Sequence, residues 1–340
     1  MDQSPISIVI VTYGRLKLLE RCIASIEAAV GSRHFEIVLI VNQDAQTLPD
    51  SKLEFVAKRK SLHVERVQPQ HSGAARNKAL PLVRGDWICF LDDDVELCPE
   101  YFKIAEETMA AYPNAEVIGG PDTTAKEASS FQRAVGLAYS SYFCTGATRR
   151  RHSTVGGVIP DVDETSLILC NLWIRTSVFA SGAYRFPPEL NRNEENVLLS
   201  ELHSAGVKMV YQPALVVLHE RKKSFKELWI PVFRSGFNRF RSFFFDSSIV
   251  SPAFFVPMLF VYYLIALLVH PHGWLALPLL MYLLLNLAFS LRAAIKAEQL
   301  LLTPTIMSVT FFVHVAYGLG SICGGLSEML SRASTRVNSR

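Results

Sequence analysis

The sequence predicts an α/β fold: a doubly wound, mostly parallel sheet followed by C-terminal transmembrane or interfacial helices. Three observations predict it. Short β-branched runs alternate with helical periodicity through the first part of the chain, the pattern of a sheet buried on both faces. Residues 249–269, 273–291 and 299–327, stretches of 21, 19 and 29 residues, contain no Asp, Glu, Lys or Arg. A helix needs about 20 apolar residues to cross a hydrocarbon core. Finally, only 19% of the 340 residues are charged and mean hydropathy is +0.22, whereas ordinary soluble domains carry about 25% charged residues. A purely soluble enzyme, a disordered chain and a disulfide-stapled secreted domain are all disfavoured.

The elements follow in order. ISIVIVT, residues 6–12, reads as a buried parallel strand. Residues 16–29 place Leu18, Leu19, Cys22, Ile23 and Ile26 on one helical face. EIVLIVN (36–42) is a second strand and 62–68 a weaker third; 73–83 reads as a helix, and DWICFL (86–91) as a strand ending in Asp92, Asp93 and Asp94. Residues 99–111 read as a helix and 117–120 as a strand. Residues 121–165, polar and carrying the basic run Arg149, Arg150 and Arg151, read as a long, partly mobile loop with a helix near 130–140. Strands at 166–174, 207–211 and 214–219 flank a helix at 194–205, with Asn193 as its N-cap and Gly206 just past its end.

The six cysteines show no metal-binding spacing and read as reduced thiols. The opening MDQSP has no basic region of a signal peptide, so the first domain is expected in the cytoplasm. Between Arg221 and Arg241, seven Lys or Arg face a single acid, Glu227, interleaved with Trp229, Phe233, Phe237 and Phe240. This suits an anionic membrane surface, and no motif there points to nucleic acid. Apolar segments follow at 252–269, 274–291 and 302–323. Arg292 and Lys296 place the second connection on the cytoplasmic side. Three full crossings would then put Arg332, Arg336 and Arg340 outside, against the same rule, so one segment is re-entrant or interfacial or the topology departs from it. The third, with Pro304 and four glycines, is the least regular.

Chemistry concentrates at strand ends, where ligands of such sheets bind. Asp92, Asp93 and Asp94 repel one another unless a cation joins them; the alternative is an exposed acidic turn. In SGAARNKA (72–79), Gly73 permits close backbone approach to a ligand, and Arg76 is placed to pair with a diphosphate or to fix an aspartate. Asp44 follows the second strand and is placed to accept from a base or ribose. No GxGxxG follows the first strand and no P-loop occurs, which disfavours dinucleotide dehydrogenases and P-loop NTPases.

SIVIVTYGRLKLLERCIASI, SGAARNKALPLVRGDWICFLDDD and NEENVLLSELHSAG, in this order, resemble family 2 glycosyltransferases of the GT-A fold, over about residues 4–220. IGGPDTTAKEASSFQRAVGLA and FRSGFNRFRS, ahead of apolar spans, look like the membrane-bound exopolysaccharide branch of succinoglycan type. The resemblance implies a DxD motif at Asp92 and Asp94 that holds Mg²⁺ or Mn²⁺. Asp93 would lie near the donor sugar or ribose, and Thr12, Tyr13, Asp44 and Arg76 would contact the nucleotide. It implies a catalytic base at Glu195 with Glu194 beside it, where the family more often has Asp; either glutamate is chemically suited. His219, followed by Arg221, matches a histidine that closes the diphosphate site and joins the expected metal ligands. The QxxRW motif of processive synthases is missing, so addition of one sugar is expected.

The function implied is an inverting transfer from a nucleotide-sugar donor to a polyprenyl-diphosphate-linked saccharide, at the cytoplasmic face of the inner membrane, with the anionic surface as a further partner and no nucleic acid. Residues 1–220 would form the GT-A domain, 221–248 an interfacial segment, 249–327 the membrane region and 328–340 a basic tail. A nucleotidyltransferase, or a membrane-anchored binding protein with a degenerate transferase domain, are the alternatives.

Overall fold

The computed structural model describes residues 6–57, 59, 61–125, 127–190, 192–244 and 251–338. The opening MDQSP, residues 245–250 at the end of the basic segment and Arg340 therefore lie outside the described residues. The chain packs as two compact units. The first runs to residue 126 and resumes over 150–220; the second takes 127–149 and everything from Arg221 onward.

The strands are β1 (Ile6–Thr12), β2 (Phe35–Val41), β3 (Leu62–Arg66), β4 (Trp87–Asp92), β5 (Val95–Leu97), β6 (Val117–Gly119), β7 (Asp122–Thr124), β8 (Ile159–Pro160), β9 (Asn171–Arg175), β10 (Met209–Tyr211) and β11 (Val217–His219). An eight-stranded sheet has the order β3-β2-β1-β4-β9-β6-β10-β8, and a small sheet has the order β5-β11-β7. Strands β1 to β4 are parallel neighbours, as the sequence predicts. Beyond them the sheet is mixed, because β9 runs antiparallel to both β4 and β6. A central strand such as NLWIR is apolar on both faces in either direction, so its sequence does not encode its orientation. Side chains alternate along β1: Ile8 and Ile10 pack with Leu19, Ile23 and Ile26 of the Leu16–Val30 helix. Val9 and Val11 pack on the other face with Ala75, Ala79, Leu198 and Leu202. The Ser72–Ala79 and Glu194–Ser204 helices share that second face.

Several sequence expectations are corrected. Only Asn171–Arg175 of the stretch 166–174 is strand. The stretch 121–165 has the helix expected near 130–140, at Ser130–Tyr139, but where loop was expected it also holds β7, β8 and the 3-10 turn Gly146–His152. Of that stretch, 127–149 groups with the second unit, whereas the sequence reading places it in the first domain. Ala134, Val135, Ala138 and Cys144 join Leu228, Val232, Ile306, Val309 and Val313 in a core of the second unit. The insert buries its apolar face against apolar helices instead of the sheet.

Among the described residues, the second unit has three helices long and apolar enough to cross a membrane, Pro252–Val269, Gly273–Lys296 and Leu300–Leu330. Their outward surface stays apolar, with Leu268 82% and Leu301 95% exposed, the pattern of a hydrocarbon-facing surface. The third segment, expected to be irregular, is one continuous helix, Thr303–Asn338. Its glycines form a packing seam. A Cβ on Gly320 would sit 2.0 Å from the Phe233 carbonyl oxygen, and one on Gly324 2.4 Å from that of Phe237. The basic, aromatic Phe225–Ser242 helix lies along this seam, backbone against backbone as small residues allow.

Candidate active site

All residues of this site belong to the first unit. Parallel strands β1 and β4 deliver Thr12 and Asp92 to one sheet edge, and the small sheet sets His219 of β11 beside the same acids. The Thr12 hydroxyl donates to Asp93 Oδ2 at 2.6 Å, and Arg15 reaches both the Asp93 and Asp94 carboxylates. Burial pushes the Asp93 carboxyl up to about 6, against the pull of Arg15. Asp93 is therefore fixed into the protein, while Asp94 shares Arg15 with it and Asp92 pairs with Arg76.

Asp92, Asp94 and His219 offer ligand atoms that all lie within 4.8 Å of one another. His219 Nε2 is 3.2 Å from Asp94 Oδ1, and its Nδ1 is 2.7 Å from Asp122 Oδ2. Burial alone would depress the imidazole, but the two carboxylates outweigh it and raise its pKa well above the usual histidine value. Asp122, Cys170 and His219 form a second trio of the same spacing. There, burial pushes the Cys170 thiol up to about 12.

Arg76, buried on the Ser72–Ala79 helix, donates to Asp92 at 2.9 Å and to Glu194 Oε1 at 2.7 Å. Of the two roles expected for it, fixing an aspartate is the one seen. Gly73 packs tightly against protein: its Cβ would lie 2.6 Å from the Pro187 carbonyl oxygen and 3.4 Å from the Glu194 Cβ. It is there so that the two site helices can approach. Tyr13 is 41% exposed beyond β1, and Asp44, half-buried beyond β2, accepts the Thr47 amide at 2.7 Å. That turn lowers the Asp44 pKa. No described contact joins Asp44 to the acidic cluster.

Glu194 and Glu195 open the Glu194–Ser204 helix, where the helix dipole favours negative charge. Asn193 precedes them as the N-cap, in the left-handed region at φ 63° and with no side-chain cap bond; its side-chain oxygen accepts from the Asn196 side-chain amide at 3.2 Å. Gly206 does follow the helix with φ +82°. Ser72 also donates to Glu194 Oε1, at 2.7 Å. Burial raises the Glu194 pKa in spite of Arg76. Glu195 instead accepts from Asn196 at 3.2 Å and lies 3.6 Å from the Arg151 guanidinium. Arg151 is buried, donating also to the Thr165 and Glu164 carbonyls and to Asn196. The sequence shows Arg151 only as part of a basic run, and Arg15, Asp122 and His152 carry no motif. Their signal is burial of charge, which a sequence does not display.

Residues 7–163 match the family described as Glycosyl transferase family 2. That part of the chain is similar to glycosyl transferase family 2. EpsH of Bacillus subtilis (strain 168), named as a glycosyltransferase, is 26% identical over 101 residues; the match covers 30% of this chain and 29% of EpsH. The chain thus spans less than a third of that relative's length. Among solved structures, the mannosyltransferase PcManGT from Pyrobaculum calidifontis, in complex with GDP-Man and Mn²⁺, aligns with a TM-score of 0.57 at 13% identity. That alignment covers 94% of this chain and 87% of PcManGT, a likeness of fold. The strand ends that gather Thr12, Asp92, Asp93 and Asp94 lie within the matched residues.

Proposed function

We propose that the chain is an inverting, divalent-metal-dependent glycosyltransferase that moves one hexose from a nucleotide-diphosphate sugar to a saccharide held on a membrane polyprenyl diphosphate, in bacterial surface or exopolysaccharide synthesis. The observation that carries this reading is the joining of Asp92, Asp94 and His219 within 4.8 Å, in a family 2 domain with a Glu pair at a helix start. Two carboxylates and an imidazole fit Mn²⁺ or Mg²⁺, and the nitrogen donor favours Mn²⁺. PcManGT, with the same fold, holds GDP-Man and Mn²⁺, which supports a nucleotide-sugar donor here.

In this reading Glu195 is the base. Both described bonds of Glu194 go to its Oε1, from Arg76 and Ser72. Glu195 is held from the side by Asn196 and Arg151. Glu195 takes the proton of the acceptor hydroxyl while that oxygen forms the new bond to the anomeric carbon. The bond from that carbon to the diphosphate oxygen breaks on the opposite face, which inverts the configuration. A bound divalent cation would supply Lewis-acid stabilisation of the departing diphosphate. Arg76 ties Asp92 to the Glu194 helix, so acid pair and base keep a fixed relation. Thr12, Tyr13 and Asp44 are assigned to the nucleotide. The three apolar helices, the basic Phe225–Ser242 helix, Arg292 and Lys296 support an inner-membrane location with the family 2 domain on the cytoplasmic face.

The test is a donor panel with the detergent-purified chain, Mn²⁺ and polyprenyl-linked acceptors. Nucleoside diphosphate should appear only when donor, metal and acceptor are all present. Release of pyrophosphate, or equal turnover in chelator, overturns the reading.

A further inference from the structure

Asp122 is fully buried at the start of β7, opposite Val217 of β11. Its two carboxylate oxygens meet two different imidazoles. Oδ2 lies 2.7 Å from His219 Nδ1, and Oδ1 meets His152 Nδ1. A carboxylate so placed accepts a hydrogen bond from each ring, so Nδ1 of His219 carries its hydrogen and the neutral ring presents the Nε2 lone pair. Nε2 is the atom that faces Asp94, at 3.2 Å. His152 sits on the 3-10 turn Gly146–His152, and that turn is pinned where the Tyr211 hydroxyl lies 2.7 Å from the Arg150 carbonyl and 2.6 Å from that of Ser153.

We propose that Asp122, itself held by His152, is a positioning residue that fixes the tautomer and aim of His219 so that Nε2 completes a metal site with Asp92 and Asp94. The inference rests on the metal site assigned above and extends it inward. Of the two trios that share His219, the outer binds the ion and the inner supports it. A carboxylate behind a metal-bound histidine orients the ring and raises its basicity, and loss of such a partner typically weakens metal binding 10–100-fold. Asp122 touches neither donor nor acceptor in this account.

The test is calorimetric titration of Mn²⁺ alone into the full-length protein in detergent, for the wild type, Asp122→Asn and His152→Gln, with melting temperatures measured on the same samples. Asp122→Asn keeps the shape and removes the charge. It should bind Mn²⁺ about 10–100-fold more weakly while its metal-free melting stays within a few degrees of wild type. His152→Gln, which leaves the Asp122–His219 contact in place, should show a smaller loss of the same sign and serves as the readout if Asp122→Asn does not fold. Wild-type affinity in Asp122→Asn, or in a His152→Gln that stands alone, overturns the inference while leaving the metal site intact. A wild type that binds no Mn²⁺ overturns the metal assignment itself and the inference with it.

Discussion

Glu194 faces Arg76 and Ser72 with one oxygen, while Glu195 is held by Asn196 and Arg151; the two acids should therefore fail differently. Glu195→Gln should lose about 10²–10⁴-fold in transfer rate, the usual worth of a positioned base, with donor affinity by calorimetry unchanged. Glu194→Gln should keep measurable transfer, because it loosens an ion pair and removes no base; a dead Glu194→Gln beside an active Glu195→Gln reverses the assignment. Protons should compete with the metal. Asp94 and Asp122 hold His219 protonated well above the usual histidine range, so its Nε2 must release a proton before it can ligate. Mn²⁺ affinity should then rise with pH through the neutral range, with proton uptake by the buffer detectable as a buffer-dependent binding enthalpy. Affinity flat in pH would remove His219 from the ligand set. The sequence displayed Asp92, Asp94 and the Glu pair because they sit in motifs. It did not display Arg151, Asp122 or His152, whose roles arise from contacts 30 or more residues apart, such as Asp122 to His152 and Arg151 to Asn196.

At the scale of elements, two close approaches set geometry. Gly73 lets the Ser72–Ala79 helix meet the Pro187 carbonyl and the start of the Glu194–Ser204 helix. Gly73→Val should misplace Arg76 and reduce donor turnover more than it lowers the melting temperature. In the second unit Gly320 and Gly324 let the Thr303–Asn338 helix touch the backbone of the Phe225–Ser242 helix. Gly320→Leu has no room at 2.0 Å and should separate the pair, seen as lost protection from amide exchange along Phe225–Ser242. Unchanged protection would contradict the seam. Strands β1 to β4 were legible because buried parallel strands announce themselves as β-branched runs. The direction of β9 and the continuity of the last helix were not: an apolar strand looks alike both ways, and a glycine that packs looks like a glycine that breaks.

At the scale of the molecule, the 50% hydrophobic composition resolves into two compact units with different interiors. The insert 127–149 belongs to the apolar unit, its Ala134, Val135 and Ala138 packed with Ile306 and Val309. A chain truncated after residue 244 should therefore expose that insert and aggregate in the absence of detergent, although it keeps all the residues matched to family 2; a monodisperse, soluble product in size-exclusion chromatography would contradict this packing. Apolar stretches were plain in the sequence, but a polar-looking insert joining them was not, since its apolar residues appear only at helical spacing. The central claim is that Glu195 and the Asp92/Asp94/His219 set act together in metal-dependent sugar transfer to a lipid-held acceptor. The most direct measurement follows radiolabelled sugar from nucleotide donor into lipid extract, for wild type, Asp94→Ala and Glu195→Gln, with and without Mn²⁺. The account predicts label in lipid only for wild type with Mn²⁺, while Glu195→Gln still binds donor. Label appearing at the wild-type rate in Glu195→Gln, or in chelator, would contradict it.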